Sequence, residues 1–163
     1  MRVFLAGATG VLGMRLVPLL VAAGHDVAGM TRTPAKTEQL QAMGAEPVVC
    51  DVFNRDALCE AVVNFGADMV LDELTDLPDD PARIPELAWQ IPGDGGAAVE
   101  EHERTILDAG GVVIRYGQFY GTGTYFESEL PPPPRIHVDA AARRTMSALD
   151  EPSGVVIVAD DRP

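Results

Sequence analysis

Three glycines spaced by three, in Ala6-Gly7-Ala8-Thr9-Gly10-Val11-Leu12-Gly13, form the segment of this chain with the most specific chemical reading. Glycine tolerates positive φ and places no Cβ between backbone and ligand, so such a turn lets main-chain N–H groups come close to an anion. A helix starting at the turn adds its unsatisfied N–H groups and the positive end of its dipole. The chemistry implied is the cradling of a pyrophosphate by Gly7, Thr9, Gly10, Val11, Leu12 and Gly13. A glycine triplet also serves plain turn geometry, and the flanking elements decide between the two.

Those elements are a strand and a helix. Val3-Phe4-Leu5 is a short unbroken apolar run, whereas Val11, Leu12, Leu16, Leu19, Leu20 and Val21 recur at helical spacing after the loop. Gly24-His25-Asp26 closes that helix, Val27 to Met30 gives a second strand, and Thr31-Arg32-Thr33-Pro34 opens a second helix. The β-α-β unit therefore has the length of about 30 residues expected of a dinucleotide-binding unit.

Alternation continues with a third strand at Pro47-Val48-Val49, a third helix from Arg55 to Val63 and a fourth strand at Met69-Val70-Leu71. Right-handed crossovers place these strands in the order 3-2-1-4, with ligand groups gathered at their C-terminal ends. Asp51, Asp72, Glu73, Leu74 and Thr75 lie at such ends. Residues 76 to 96 are rich in Pro, Asp and Gly, and read as loop with about a turn of helix near Ile84 to Trp89. A helix is expected from Ala97 to Ala109, a strand at Val112-Val113-Ile114 and a turn-rich segment from Tyr116 to Gly123. Pro131 to Pro134 reads as a polyproline spacer, His137 to Leu149 as a last helix and Val155 to Val158 as a last strand.

Composition narrows the class. A chain of 163 residues with 47% hydrophobic and 23% charged residues suits one soluble globular domain, and no apolar run reaches the roughly 18 residues of a membrane span. The start lacks the basic and apolar regions of a secretory signal, so a cytoplasmic protein is expected. Twenty-five acidic against 12 basic residues give a net charge of -13, which opposes nucleic acid and anionic membranes as partners. The same field opposes an anionic dinucleotide, so binding must come from local donors, which makes Arg32 and Lys36, the one lysine, informative. Cys50 and Cys59 lack partners at metal-ligand spacing, and His25, His102 and His137 are scattered, so no metal site is expected. The acidic cluster Asp72, Glu73 and Asp76 reads as solvated loop acids rather than a cation site.

Four segments resemble the extended short-chain dehydrogenase/reductase family, in particular its NAD-dependent epimerase/dehydratase branch. They are the Gly7 to Gly13 loop, Cys50-Asp51-Val52, the run Val113-Ile114-Arg115-Tyr116-Gly117-Gln118-Phe119-Tyr120-Gly121, and Ile136-His137-Val138-Asp139-Ala140-Ala141, in the family's order. The resemblance implies a doubly wound Rossmann-type α/β fold, a parallel sheet with helices on both faces. It also implies that Asp51 and Val52 contact the adenine end of the cofactor and that Leu74 and Thr75 pack near its ribose and nicotinamide. An NAD site usually offers a carboxylate near the end of strand 2, but Met30-Thr31-Arg32 stands here. Arg32, with Lys36, can pair with a 2′-phosphate, which favours NADP over NAD.

The chain also departs from the family. No Tyr-x-x-x-Lys pair is present. If Glu103 takes the place of the glutamate often found one turn after that lysine, the lysine and tyrosine places are Val99 and Gly95. Tyr116 and Tyr120 are then weak catalytic candidates, since a tyrosine without a lysine neighbour keeps a pKa of about 10. The spacing implies an internal contraction near Ala88 to Pro92 and a reduced substrate-binding part over 118–163. It places the Val112 strand directly beside Met69 to Leu71, giving the order 3-2-1-4-5 with a short C-terminal helix and strand. The family's homodimer packs through helices of this shortened middle region.

Two functional readings follow. One is an NAD(P)-dependent oxidoreductase or epimerase/dehydratase-like enzyme, transferring hydride to or from a sugar nucleotide or another small hydroxyl or carbonyl substrate. The other is a catalytically silent NADP(H)-binding sensor or interaction module. A contracted fold that keeps the turn but binds no dinucleotide is a third.

Overall fold

An unbroken apolar run belongs in a strand covered on both faces. Val3, Phe4 and Leu5 are fully buried in β1 (Arg2–Ala6). The structure, a computed structural model, describes residues 1–73, 100 and 103–160. The chain divides into two compact units, Met1–Thr75 and Asp76–Pro163.

In the first unit, β1 is followed by α1 (Gly13–Ala22), β2 (Asp26–Thr31), a 3-10 turn (Pro34–Lys36), α2 (Thr37–Ala42), β3 (Glu46–Val49), α3 (Arg55–Phe65) and β4 (Met69–Asp72). All strand pairs are parallel and the sheet order is β3-β2-β1-β4, as the alternation predicts. Phe4 lies opposite Ala28 on one side and Val70 on the other. On that face Phe4, Ala6, Ala28, Met30, Cys50 and Phe65 form a buried cluster, against which Leu58, Ala61 and Val62 of α3 pack. Successive strand residues turn to opposite faces. Gly29 accordingly faces the other way, where a Cβ would lie 3.0 Å from the Leu40 side chain of α2.

Pro18 sits inside α1. Proline cannot donate to the carbonyl four residues back, so the helix depends on burial of Leu16, Val17 and Leu20 rather than on a full ladder. Asn54 caps α3 by accepting the Ala57 N–H at 3.2 Å.

The second unit contains β5 (Val112–Tyr116), β6 (Gln118–Tyr120), β7 (Arg135–His137), α4 (Val138–Ala148) and β8 (Gly154–Val158). Helical residues at 100 and 103–108 fall within the expected Ala97–Ala109 helix. In α4 the buried residues Val138, Ala141, Ala142, Thr145 and Ala148 form one helical stripe. His137 caps this helix, its Nδ1 accepting the Asp139 N–H at 3.3 Å.

Strand pairing in this unit adds a neighbour that the sequence pattern does not specify. Among the described residues β5 pairs in parallel with β8, from Val112↔Gly154 to Tyr116↔Val158. β8 meets β5 at all five residues of its length, and α4 provides the crossover that parallel strands require. One difference from the expected pattern is the short parallel pair of β6, within the segment that reads as turn, and β7, which directly follows the proline spacer. Prolines have no N–H to donate, but their carbonyls still accept. Gln118 Nε2 donates to Pro132 O at 3.0 Å, Gln118 N to Pro134 O at 2.9 Å and Arg135 Nη1 to Pro131 O at 3.0 Å.

Phe4 contacts Phe65 edge-on at a centroid distance of 6.4 Å, within the cluster that covers this face of the sheet. Phe4→Ala is therefore expected to lower the unfolding free energy by about 3–5 kcal/mol. Val63→Ala on α3, where the side chain is 75% exposed, should change it by less than about 0.5 kcal/mol. Urea unfolding of both variants with unchanged slope checks the contrast.

Candidate functional site

β1 delivers the chain to Gly7 with φ 81°, in the left-handed region that side chains disfavour. The Gly10 N–H returns to the Gly7 carbonyl at 2.8 Å, and the Met14 N–H reaches the Gly10 carbonyl at 2.9 Å. A Cβ on Gly13 would fall on the Gly7 carbonyl oxygen and lie 2.7 Å from the Ala8 Cα. At Gly10 a Cβ would stand 3.1 Å from the Gly7 oxygen. These are backbone contacts, so no side-chain movement relieves them. Leu12, the N-cap of α1, makes no side-chain capping bond, and the first turn carries no acidic residue. Its N–H groups and positive dipole end have no carboxylate of the first turn competing with an incoming anion.

The turn is tied to the end of β2. The Ala8 N–H donates to the Met30 carbonyl at 3.2 Å, and the Thr9 and Thr31 hydroxyls lie 3.2 Å apart. Buried Thr31 also accepts the Thr33 N–H at 3.2 Å, which fixes the chain where exposed Arg32 leaves the sheet. The Cys50 N–H bonds the Thr31 carbonyl at 3.1 Å and joins the end of β3 to the same edge. Lys36 is exposed at the end of the 3-10 turn.

Asp51 and Val52 follow β3 but are engaged differently. The Asp51 carboxylate accepts the Phe53 N–H at 3.1 Å, folding back on its own loop. Val52 packs against the Phe4 cluster. Burial, with the neighbouring Asp51 charge second, pushes the Cys50 thiol above its ordinary value. β4 closes the edge, the Glu73 N–H donating to the Ala6 carbonyl at 3.1 Å. Leu74, Thr75 and Asp76 lie outside the described residues, as do Gly95, Val99, the Ile84–Trp89 turn and the Ala88–Pro92 contraction point.

Gly7, Thr9, Gly10, Val11, Leu12, Gly13, Arg32, Asp51 and Val52 thus share the edge formed by the strand C-terminal ends. Arg15 is a residue that the sequence reading misses. Its guanidinium Nη1 donates to the Val11 carbonyl at 2.8 Å, and the four-residue spacing from Val11 is the available signal.

In the second unit the two tyrosines are bonded to neighbours. Tyr116 Oη and Thr145 Oγ1 lie 2.6 Å apart, and fully buried Thr145 donates to the Ala141 carbonyl at 2.9 Å. Tyr120 Oη donates to Asp160 Oδ2 at 3.1 Å, and its ring meets His137 edge-on. Arg144 reaches Asp160 at 3.4 Å and the Ala159 carbonyl at 2.7 Å. Glu103 is paired with Arg115 in a bidentate contact of 3.0 and 2.6 Å, which holds the guanidinium above its ordinary value. Among the described residues, no group of three or more His, Cys, Asp or Glu could hold a metal ion, and no helix is long and apolar enough to cross a membrane.

Residues 7–105 match the model of a family described as NAD(P)H-binding. A 3-diazoavenalumate denitrifying reductase from a Streptomyces species is 28% identical over 238 residues, covering 100% of this chain and 77% of the reductase. That alignment is 75 positions longer than the 163-residue chain, so stretches of the reductase face gaps here. The 4-hydroxy-2-methyl-3-oxo-4-farnesyl-3,4-dihydroquinoline-1-oxide ketoreductase of Stigmatella aurantiaca is 34% identical over 70 residues, 43% of this chain but only 20% of the ketoreductase. Among solved structures, the UDP-glucose 4-epimerase of Thermus thermophilus in complex with NAD has a TM-score of 0.72 at 15% identity, covering 98% of this chain and 78% of that one. That likeness is one of fold.

The raised Cys50 thiol has a pH consequence. The native state holds this proton more tightly than the unfolded chain, so the thiol's contribution to stability is fully present below the unfolded value and is lost as pH rises through the folded one. Between about pH 7 and about pH 10 the urea midpoint should fall less steeply for Cys50→Ala than for the native protein. Equal slopes would show that Cys50 carries no such linkage.

Proposed function

The chain belongs to the NAD(P)H-binding family, and on that premise we propose that it is an NADP(H)-preferring oxidoreductase of the extended short-chain dehydrogenase/reductase type. The observation that carries this reading is the glycine turn closed on itself at Gly7, Gly10 and Gly13 in front of the uncapped helix α1. Glycine at 10 and 13 lets the turn close on its own backbone, where any Cβ would strike it, and the N–H groups of Val11 and the N-cap Leu12, just ahead of α1, bind a pyrophosphate with no acidic residue in the first turn to compete. Thr9, held at Thr31, borders that site.

Arg32, with Lys36, binds the 2′-phosphate of the adenosine, since no carboxylate stands at the end of β2 to receive the free ribose hydroxyls. Asp51 and Val52 border the adenine, and Leu74 and Thr75 the ribose and nicotinamide. The nicotinamide supplies hydride transfer. The substrate class proposed is a small hydroxyl or carbonyl compound, a sugar nucleotide among them. The chain is read as a single NAD(P)-binding domain whose substrate-binding part, 118–163, is reduced.

One observation favours the second reading, a catalytically silent NADP(H) module. Tyr116 and Tyr120, the candidates left by the missing Tyr-x-x-x-Lys, have their hydroxyls at Thr145 and Asp160.

Titration with NADPH and NADH, followed by nicotinamide fluorescence, tests the proposal. Arg32→Ala should weaken NADPH about ten- to a hundredfold and NADH by less than about twofold. Equal loss for both would remove Arg32 from the 2′-phosphate, and absence of binding by the native protein would overturn the dinucleotide reading. Binding with hydride exchange into a carbonyl substrate supports the enzyme; binding with none across carbonyl and sugar-nucleotide panels supports the silent module.

A further inference from the structure

The first turn of α1 is irregular at one bond. The Arg15 N–H donates to the Leu12 carbonyl, three residues back, at 2.9 Å, and the Leu16 N–H shares that acceptor at 3.0 Å. The Val11 carbonyl, one residue outside the helix ladder, takes the Arg15 guanidinium at 2.8 Å. The side chain thus bonds back onto the glycine turn, one residue before the N-cap Leu12.

A trans peptide is planar, with its C=O and the next N–H pointing in opposite directions. Fixing the Val11 carbonyl therefore fixes the Leu12 N–H, and aims it away from Arg15, out of the helix mouth. A bond to a charged donor is among the stronger ones available to a carbonyl. The glycine-flanked turn has few side chains of its own to hold that plane.

We infer that Arg15 is a positioning residue, which orients the Leu12 N–H toward a bound pyrophosphate by holding the Val11 carbonyl. This deepens the dinucleotide reading and rests on it. Arg15 acts through the peptide plane, so its effect follows the pyrophosphate and not the 2′-phosphate or the nicotinamide.

The test compares Arg15→Met and Arg15→Lys with the native protein, using NADPH, NADH and adenosine 2′-monophosphate, which lacks a pyrophosphate. Arg15→Met should weaken NADPH and NADH alike, each about tenfold. Adenosine 2′-monophosphate should stay within about twofold and the melting midpoint should hold. Arg15→Lys, which keeps a donor on a long stem, should recover NADPH affinity to within about threefold. The loss should persist at high salt, because a fixed peptide plane is not screened as a long-range charge is. Unchanged NADPH affinity in Arg15→Met overturns the inference. So does a parallel loss of all three ligands with a lowered midpoint, or failure of the variant to fold, either of which assigns Arg15 to the fold alone. Native protein that binds neither nicotinamide would instead end the dinucleotide reading, an outcome separate from a failure at Arg15.

Discussion

The contact between Gly13 and the backbone of Gly7 and Ala8 is the constraint on which the first unit depends. Because no atom of a side chain stands between them, α1 begins directly against the end of β1. That start point decides where the helix mouth opens. It also decides which residues of the turn meet β2. Ala8 can then reach the Met30 carbonyl and Thr9 the Thr31 hydroxyl, and β3 follows through Cys50. The edge where four strands end is therefore organised from one place of backbone on backbone, with the apolar cluster around Phe4 holding the far side of the sheet.

Much of this is legible in the residues, for identifiable reasons. Buried parallel strands demand short apolar runs, and Val3-Phe4-Leu5 and Val27 to Met30 are such runs; Met69 to Leu71 is an apolar run too, though Val70 is exposed, and order 3-2-1-4 follows from connectivity. α1 is legible in spite of Pro18, because the helical spacing of Val11, Leu12, Leu16, Leu19, Leu20 and Val21 outweighs one missing donor. The pair β6 and β7 is not. Three-residue strands beside a run of prolines carry no alternation to detect, and their ladder depends on carbonyls that the sequence does not mark as acceptors. The partner of β5 is also hidden, since strand neighbours 42 residues apart are set by packing and not by local pattern.

At the site, residue type is readable and residue engagement is not. The three glycines behave as their spacing implies. Asp51 and Val52 are placed through resemblance, and the structure adds what resemblance could not: one folds its carboxylate onto its own loop and the other packs into the core. Arg15 escapes notice because a charged residue on a helix usually reads as solvated. Only the turn geometry reveals its use. In a chain of net charge -13, the few guanidinium groups near this edge matter more than their number implies.

The distribution of these contacts along the chain also sets the entropic cost of closing each one. Ala8 and Met30 are 22 residues apart, as are Thr9 and Thr31, whereas β1 meets β4 only through partners 66 residues apart, Val3 and Met69. Closing a longer loop costs more chain entropy, and distant pairings form more slowly than near ones. The glycine turn is therefore closed at a lower entropic cost than the pairing of β1 with β4. The contacts that shape the turn all lie within residues 7–31.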